Sequence, residues 1–532
     1  MYGSNGVEFM NSENVHAISV ANLLEKAADR WPDSPSVTYG EHTYTWVQTR
    51  ERCQRLAFAL TNLGVRAGER VAYLGYNSHW CFELFFASPM AGAVTVPVNF
   101  RLSQGEMIEC VQDAEPKVLL VDRHHIEHAR AIRRECPWLE TLIYAGEGAA
   151  PDGFLSCEEL LSSAEQRELQ PSGNDDTLVI FYTGGTTGRS KGVMLTHINL
   201  FTNALGGIPL YRLVERETHL LAGPMFHTAA GSRVYTATMM GTHTVILAKF
   251  DVLETMQTVE KHCINTMQIV PTMLQLMLDH PRFSEFDLSS LRMITYGASP
   301  IPVALLERAL TLLPTVSFAQ SYGMTEASPV VTVLDGDDHS LEAARLSRLE
   351  SVGRAVFHNQ VRIVNAERQA LGVGEVGEIA VKGASIMKGY WRAPELTSAV
   401  LEDGWYYTGD SGYLDEDGYL FLVGRIKDMI VSGGENVYPI EIENILSRHP
   451  DIKECAVVGV PHETWGESVH AVVRLADQAV VSESDIIDYC RERIAHYKCP
   501  TGVTFMEQPL PVSAVNKILK SELRKMISTG AE

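Results

Sequence analysis

The sequence is short of positive charge. Lys and Arg total 44 against 66 Asp and Glu in 532 residues, leaving a formal net charge of −22. Such a field repels a polyanion, so no nucleic acid partner is expected; small anions stay open, because local loops and a few cations can bind phosphate against the global field. No CxxC pair occurs, and the nine cysteines are scattered from Cys53 to Cys499. That speaks against a disulfide framework or zinc site and suits reduced thiols in a cytoplasm. The stretch Trp80–Val98 is apolar enough to raise a membrane reading, but Glu83, Pro89 and Pro97 interrupt it. It divides into a helix and the strand Val94–Val98, so no stable membrane insertion is expected. Met1 to Val15 lacks a basic region and an apolar region, and Thr529 to Glu532 lacks a lipidation or peroxisomal tripeptide. No signal peptide or anchor is expected, which points to a cytoplasmic protein.

What is present reads as a globular α/β protein. An apolar content of 45% with 21% charged residues is ordinary for one. The length exceeds one compact core and implies at least two domains. From Arg70 to Gln320, β-branched runs alternate with helical stretches. Strands are expected at Val71–Leu74, Val94–Val98, Val118–Val121, Leu178–Thr183, Val245–Ala248, Met267–Val270 and Met293–Tyr296. Helices are expected at Gln104–Gln112, Val252–His262, Thr272–His280 and Val303–Leu312. This alternation predicts parallel βαβ sheets buried on both faces. After Val352, Gln360–Val364, Glu378–Val381 and Tyr419–Val423 predict a small antiparallel, barrel-like portion. A second change of texture at Gly424–Asp428 precedes a small α+β region. There a helix opens at Pro439, strands run over Ala456–Val460 and Val469–Leu475, one helix covers Glu483–His496 and a last helix starts from Lys517.

The run Tyr182-Thr183-Gly184-Gly185-Thr186-Thr187-Gly188-Arg189-Ser190-Lys191-Gly192 follows a predicted strand. Glycines let N–H groups turn toward an anion, hydroxyls add donors, and Lys191 adds a charge. The Walker A spacing fails, since Ser190 precedes Lys191 and Gly192 follows it. A structural turn is the competing reading, but four glycines, four hydroxyls and a lysine favour a phosphate cradle. The segment resembles the signature loop of the acyl-adenylate-forming superfamily, which comprises acyl-CoA synthetases, luciferases and peptide-synthetase adenylation domains. That superfamily usually has Pro at the place of Ser190. The resemblance extends over nearly the whole chain and is nearest to fatty-acid or aryl acyl-CoA ligases.

What the resemblance implies can be set out residue by residue. Thr183, Gly184, Gly185, Thr186, Thr187, Gly188 and Lys191 bind the phosphates. Gly297, Ala298 and Ser299 line the adenine pocket, ahead of Pro300. In Tyr322-Gly323-Met324-Thr325-Glu326, Tyr322 offers a stacking face, Thr325 a hydroxyl for the α-phosphate and Glu326 a hard oxygen for Mg²⁺. Asp410, in Thr408-Gly409-Asp410, accepts the ribose hydroxyls, and Arg425 contacts the same sugar. Lys427 is the hinge, and Ser432, Gly433 and Gly434 help form the channel for the thiol arm. Lys517, preceded by Asn516 where the superfamily most often has Gly, is the catalytic lysine. His227 stands between the acyl pocket and the thiol channel. Taken singly, each has an ordinary reading as a turn, a solvated charge or a core histidine. His124, His125 and His128 are read as solvated on a surface helix, not as a metal site.

These residues imply a large domain over 1–424, a hinge at 425–428 and a mobile domain over 429–532. The expected reaction joins a carboxylic acid to coenzyme A in two steps, by way of an acyl-adenylate, with ATP, Mg²⁺ and coenzyme A as cofactors. No Asp follows Phe226-His227-Thr228-Ala229 to hold an ammonium group, which disfavours amino acids. Ala229, Ala230 and Gly231, with Val270, Met324 and Val330, suggest a roomy apolar pocket for a medium-chain fatty or aryl acid. An enzyme that loads an acyl carrier protein and an inactive nucleotide-binding module are the alternatives. A homodimer is left open.

Overall fold

The computed structural model describes residues 18–184, 190–299, 301–340, 348–433, 435–476, 478–512 and 518–529. Four sheets organise the chain. One, of eight strands, runs in the order Gly389–Tyr390, Lys191–Thr196, Thr177–Thr183, Val94–Val98, Arg70–Leu74, Pro116–Val121, Thr141–Tyr144 and Leu155–Ser156. The pairs from Thr177–Thr183 to Leu155–Ser156 are parallel, and Val94–Val98 is buried at every position, as the uninterrupted apolar run predicts. The preceding helix His79–Met90 is buried along its whole length, which accounts for the apolar texture of Trp80–Val98. No helix among the described residues is long and apolar enough to cross a membrane.

The second sheet has nine strands, in the order Arg354–Ala355, Val330–Leu334, Ser317–Gly323, Met293–Gly297, Thr266–Ile269, Thr218–Leu221, His243–Ile246, Pro35–Tyr39 and His42–Thr45. The six from Ser317–Gly323 to Pro35–Tyr39 are parallel to one another. Its helices begin where local chemistry directs. Asp251 caps Val252–His262 by accepting from the Glu254 N–H, and Pro271 opens Pro271–Asp279. Ile294 and Tyr296 face one hydrophobic core, while Met293 turns to a different one. Thr295 and Gly297 therefore share the opposite face, because strand side chains alternate.

A third sheet is antiparallel, pairing Asn359–Val364, Gly377–Gly383, Trp405–Leu414 and Leu401–Glu402, with Leu420–Arg425 on Trp405–Leu414. A turn at Asp415–Gly418 connects the last two long strands, with Gly418 at φ 79°. The separate small C-terminal domain carries the fourth sheet, Glu435–Val437, Ile430–Ser432, Gly466–Leu475 and Ile452–His462, with Gly502–Phe505 alongside.

Three expectations need correction. The helix predicted over Glu483–His496 ends at Arg491 and is followed by a separate turn of 3₁₀ helix at His496–Lys498. The last helix runs over Lys520–Thr529 rather than from Lys517. Among the three histidines expected in solvent, His125 is buried at 5% exposure, and its Nδ1 lies 2.6 Å from Asp122 Oδ1. Asp122 also accepts from the backbone N–H groups of Tyr76, His124 and His125. A buried carboxylate at the end of a parallel strand needs such donors, and the local sequence cannot reveal that it is buried.

Candidate active site

The carboxyl ends of neighbouring parallel strands converge at the site, the usual place for a ligand in an open α/β sheet. Gly297 ends one strand directly opposite Ser321 of the next. A Cβ on Gly297 would lie 2.3 Å from the Ser321 carbonyl oxygen, so only glycine lets these strands close here. Ala298 follows at φ 66°, a left-handed conformation that is strained for alanine. Gly323 is equally constrained, since a Cβ there would sit 1.8 Å from the Pro329 carbonyl oxygen. Ser299 lies beside Ala298 at the surface of this turn, while Pro300 is outside the described residues.

Tyr322 is 8% exposed and donates its hydroxyl to Asp410 Oδ2 at 2.7 Å. Arg425 Nε contacts the other oxygen of Asp410 at 2.6 Å. The two residues are register partners on the hairpin Trp405–Leu414/Leu420–Arg425. Thr408 fixes the turn by accepting the Asp410 N–H at 3.0 Å and donating to the Ile379 carbonyl at 2.8 Å. Burial raises the Tyr322 phenol well above its usual pKa, and the Asp410 charge adds to the shift. Burial works against the Arg425 charge, yet Asp410 and then Tyr322, Tyr406 and Glu326 hold its pKa up. Each carboxylate oxygen of Asp410 has a second lone pair, so it can still accept from a vicinal diol.

Glu326 lies on a short 3₁₀ turn, Thr325–Ala327, and its Oε1 accepts from the Tyr390 hydroxyl at 2.9 Å. Burial first, and then the Glu326 charge, raises the Tyr390 phenol. Lys191 Nζ stands 5.1 Å from the centre of the same ring. Thr183 and Lys191 are register partners, so the two ends of the glycine-rich run are adjacent. Gly184 is exposed, whereas Gly185, Thr186, Thr187 and Gly188 lie outside the described residues. Helix Gln104–Ala114 braces both ends of the turn. Tyr182 donates to Asp113 at 2.5 Å, and the Ser190 hydroxyl is hydrogen-bonded to the Cys110 thiol.

Thr325 is buried and accepts from the Thr228 hydroxyl at 3.0 Å, which links this turn to the segment after His227. His227 caps the short helix Thr228–Gly231, its Nδ1 accepting from the Ala229 N–H at 3.3 Å. That contact makes Nδ1 the acceptor and leaves the neutral ring's proton on Nε2. Val270, Met324 and Val330 pack against three separate apolar clusters rather than forming one shared wall.

Arg425 leads straight into the 3₁₀ turn Ile426–Asp428, which contains Lys427. Burial lowers the Lys427 pKa, against the pull of Asp428. Ser432 and Gly433 lie at the hairpin Ile430–Ser432/Glu435–Val437, where Gly433 takes φ 60° and its N–H donates to the Trp465 carbonyl at 3.0 Å. Gly434 and Lys517 lie outside the described residues. Val512 and Ile518, on either side of the undescribed residues 513–517, pair across an isolated antiparallel bridge.

The structure thus brings Lys191, Glu326, Thr325, Tyr322, Asp410 and Arg425 into one connected group. It adds Tyr390, Thr408 and Thr228, which the sequence reading missed. Tyr390 had a faint signal, a Gly-Tyr-Trp run at 389–391. Thr408 and Thr228 stood beside residues already singled out but owe their place to contacts across the sheets. Glu326 fits Mg²⁺: it is one carboxylate, oriented by Tyr390, as suits a metal that takes most of its ligands from phosphate and water. Among the described residues, no group of three or more His, Cys, Asp or Glu could hold a metal alone. A metal at Glu326 would have to complete its shell from the nucleotide.

Comparison with known proteins agrees with this geometry. The model of the AMP-binding enzyme family matches residues 24–391, and that of the AMP-binding enzyme C-terminal domain matches residues 441–517. A feruloyl-CoA synthase from Amycolatopsis sp is 40% identical over 495 residues, covering 93% of this chain and 96% of its own. An indoleacetate–CoA ligase from Aromatoleum aromaticum is 36% identical over 515 residues, covering 96% of this chain and 98% of its own. The solved structure of o-succinylbenzoate CoA synthetase from Bacillus subtilis, in complex with its acyl-adenylate intermediate, matches with a TM-score of 0.82 at 30% identity. The match covers 94% of this chain and 98% of that one. The chain belongs to the AMP-binding enzyme family, the acyl-adenylate-forming superfamily whose motifs it carries.

Proposed function

We propose that this protein is an ATP-dependent carboxylic acid–CoA ligase that works through an acyl-adenylate. The carrying observation is the convergence of Lys191, Glu326, Tyr322, Asp410 and Arg425, which come from four separate stretches of chain, through Tyr390 and paired strands. A carboxylate does not react with a thiol in water, because its oxygen is a poor leaving group. Attack of that oxygen on the α-phosphate of ATP releases pyrophosphate and gives a mixed anhydride. The thiol of coenzyme A then attacks the carbonyl, and AMP leaves.

The first step brings two anions together, so charge must be screened where it builds up. Lys191 and the N–H groups of the glycine-rich turn face the phosphates, Thr325 the α-phosphate, and Lys517 the developing charge. Tyr322 and the 297–299 turn take the adenine, while Asp410 and Arg425 take the ribose. Mg²⁺ at Glu326 would supply Lewis-acid screening of the phosphate oxygens. The second step needs different groups around the same carbonyl, which calls for rotation of residues 429–532 about Lys427. Ser432, Gly433 and Gly434 then line the thiol's path, and His227 lies between that path and the acid. The relatives named above have aromatic acids in their names, which supports an aryl acid over a medium-chain fatty acid, and the reduced thiols suit the cytoplasm.

The test is ATP–pyrophosphate exchange driven by a panel of aryl and medium-chain acids, followed by acceptor choice. The ligase reading expects acid-dependent exchange and thioester formation with free coenzyme A. Exchange with transfer only to a holo-carrier protein would establish the carrier-loading alternative. No exchange with any acid would leave a nucleotide-binding module.

A further inference from the structure

The last turn of helix Gln104–Ala114 carries an acid, Asp113, although the negative end of a helix dipole disfavours one there. Its carboxylate finds a partner far along the chain. The Tyr182 hydroxyl donates to Oδ2 at 2.5 Å, from 69 positions away. Burial, and then this bond, raises the Tyr182 phenol, which keeps it a donor. Tyr182 is the register partner of Gly192, so it belongs to the strand that enters the glycine-rich run and lies against the strand that leaves it. A Cβ on Gly192 would lie 3.2 Å from the Tyr182 ring and 2.8 Å from Ile180 Cγ2, so the missing side chain leaves room for the phenol to cross the exit strand. Thr183 and Lys191, the next pair in register, share the opposite face, where Lys191 Nζ stands 5.1 Å from the centre of the Tyr390 ring. One hydrogen bond beneath the hairpin therefore sets the level from which Thr183 and Lys191 project.

The helix end is itself fixed. Trp391 Nε1 donates to the Asp113 carbonyl at 3.0 Å, and Arg392 Nη1 donates to the same oxygen at 3.4 Å. Arg70 donates to the Ala114 carbonyl at 2.7 Å and to the Glu115 carbonyl at 2.8 Å. These are carbonyls that a helix C-terminus leaves without partners of its own. The Trp391 N–H donates to the Gly192 carbonyl at 2.7 Å, and the neighbouring Tyr390 donates to Glu326. Residues 390–392 thus join the helix end, the glycine-rich run and the turn that carries Glu326. Cys110 lies one helical turn before Asp113 and meets Ser190, so one helix face holds both stems of the run.

We propose that Asp113 is a positioning residue for the triphosphate. Acting through Tyr182 rather than on the ligand, its carboxylate holds the stems of the 183–192 turn so that Thr183, Lys191 and the turn's N–H groups meet the β- and γ-phosphates. This rests on the ligase reading, in which that turn takes the phosphates of ATP. Without the bond, ATP would have to order the turn as it binds, and that entropic cost would appear in its affinity. AMP lacks those two phosphates and relies on Tyr322, Asp410 and Arg425, so it is spared the cost.

The test is calorimetric titration of the whole chain with ATP plus Mg²⁺ and, separately, with AMP. Asp113→Ala should weaken ATP about tenfold, the scale of one hydrogen bond to a charged group, and leave AMP within about twofold of the wild type. Tyr182→Phe removes only the hydroxyl and should match it. The double variant should bind ATP no more weakly than either single variant, because both remove the same bond. Asp113→Asn keeps an acceptor for the phenol and should restore most of the ATP affinity. Weakening of ATP and AMP alike, or an unchanged ATP affinity, overturns the inference. Where Asp113→Ala does not fold, Tyr182→Phe decides by the same contrast. The ATP–AMP contrast without acid-driven pyrophosphate exchange in the wild type removes the ligase reading alone, and exchange without the contrast removes the inference alone.

Discussion

On the nucleotide side of the site, Asp410 is held from both directions, by Tyr322 at 2.7 Å and Arg425 at 2.6 Å. Around the helices that follow His227, Arg233 is buried without a carboxylate, and His219 is kept uncharged. The first arrangement is preorganised: its hydrogen bonds already exist, and a ligand adds to them. The second sets a buried charge against a hydroxyl and an aromatic ring, those of Thr295 and Tyr211. Substitutions on the nucleotide side should damage turnover of every acid alike.

The largest effect that would sharpen this contrast is expected outside both halves. Lys517→Ala should lower the adenylation rate by about 10²–10³-fold or more, the scale of a lost transition-state contact. Thiol transfer from supplied acyl-adenylate should stay within a few-fold of wild type. Single-turnover assays of the two half-reactions check this, and equal loss in both would remove the two-conformation account.

A smaller effect is expected from Asp410→Ala, which removes the acceptor of Tyr322 and leaves Arg425 without its ion-pair partner. The KM for ATP should rise by about 10–100-fold, the scale of one or two hydrogen bonds to a charged group, with little change in the KM for the acid. If both KM values rise together, the two halves are not independent.

The smallest effect concerns stability. Burial, and then the Arg233 charge, lowers the His219 pKa to about 3. Between that value and the unfolded value of roughly 6.5, the unfolded chain binds more protons than the folded one. Stability should therefore fall as pH drops through this window and stay unaffected by this group above it. His79, His243, His339 and His358 are lowered by burial as well, so the wild-type slope is a sum. His219→Gln should reduce the loss between pH 7 and 5 by up to about 2 kcal/mol, at roughly 1.4 kcal/mol per pH unit. Denaturant midpoints across that range measure it, and an unchanged slope would mean that His219 is hydrated in the folded state.

Elements with local determinants were legible in the sequence. Val252–His262, Val303–Leu312 and Val94–Val98 match their expected bounds, because caps, apolar period and β-branched runs act over a few residues. The C-terminal helix after Ser482 was drawn too long, since the break after Arg491 leaves little trace in the pattern. His125 was misplaced for a different reason, as its burial comes from Asp122 and the aromatic rings of Tyr76 and Phe100 around it. Lys191, Glu326 and Asp410 of the connected group stand in motifs legible in the sequence, whereas Tyr390 and the buried Arg233 do not. Their importance lies in contacts with residues 64 and 62 positions away, Glu326 and Thr295.

The sequence by itself determined the alternation of strands and helices and the family, because each is written in short stretches whose chemistry is local. Only the tertiary structure decided that Tyr390 orients Glu326, that Asp410 is shared between Tyr322 and Arg425, and that the Arg233 guanidinium is buried against Thr295 and Tyr211. Those outcomes depend on which strands lie side by side and which side chains lose water, and burial is a property of the assembled sheets that no single segment encodes.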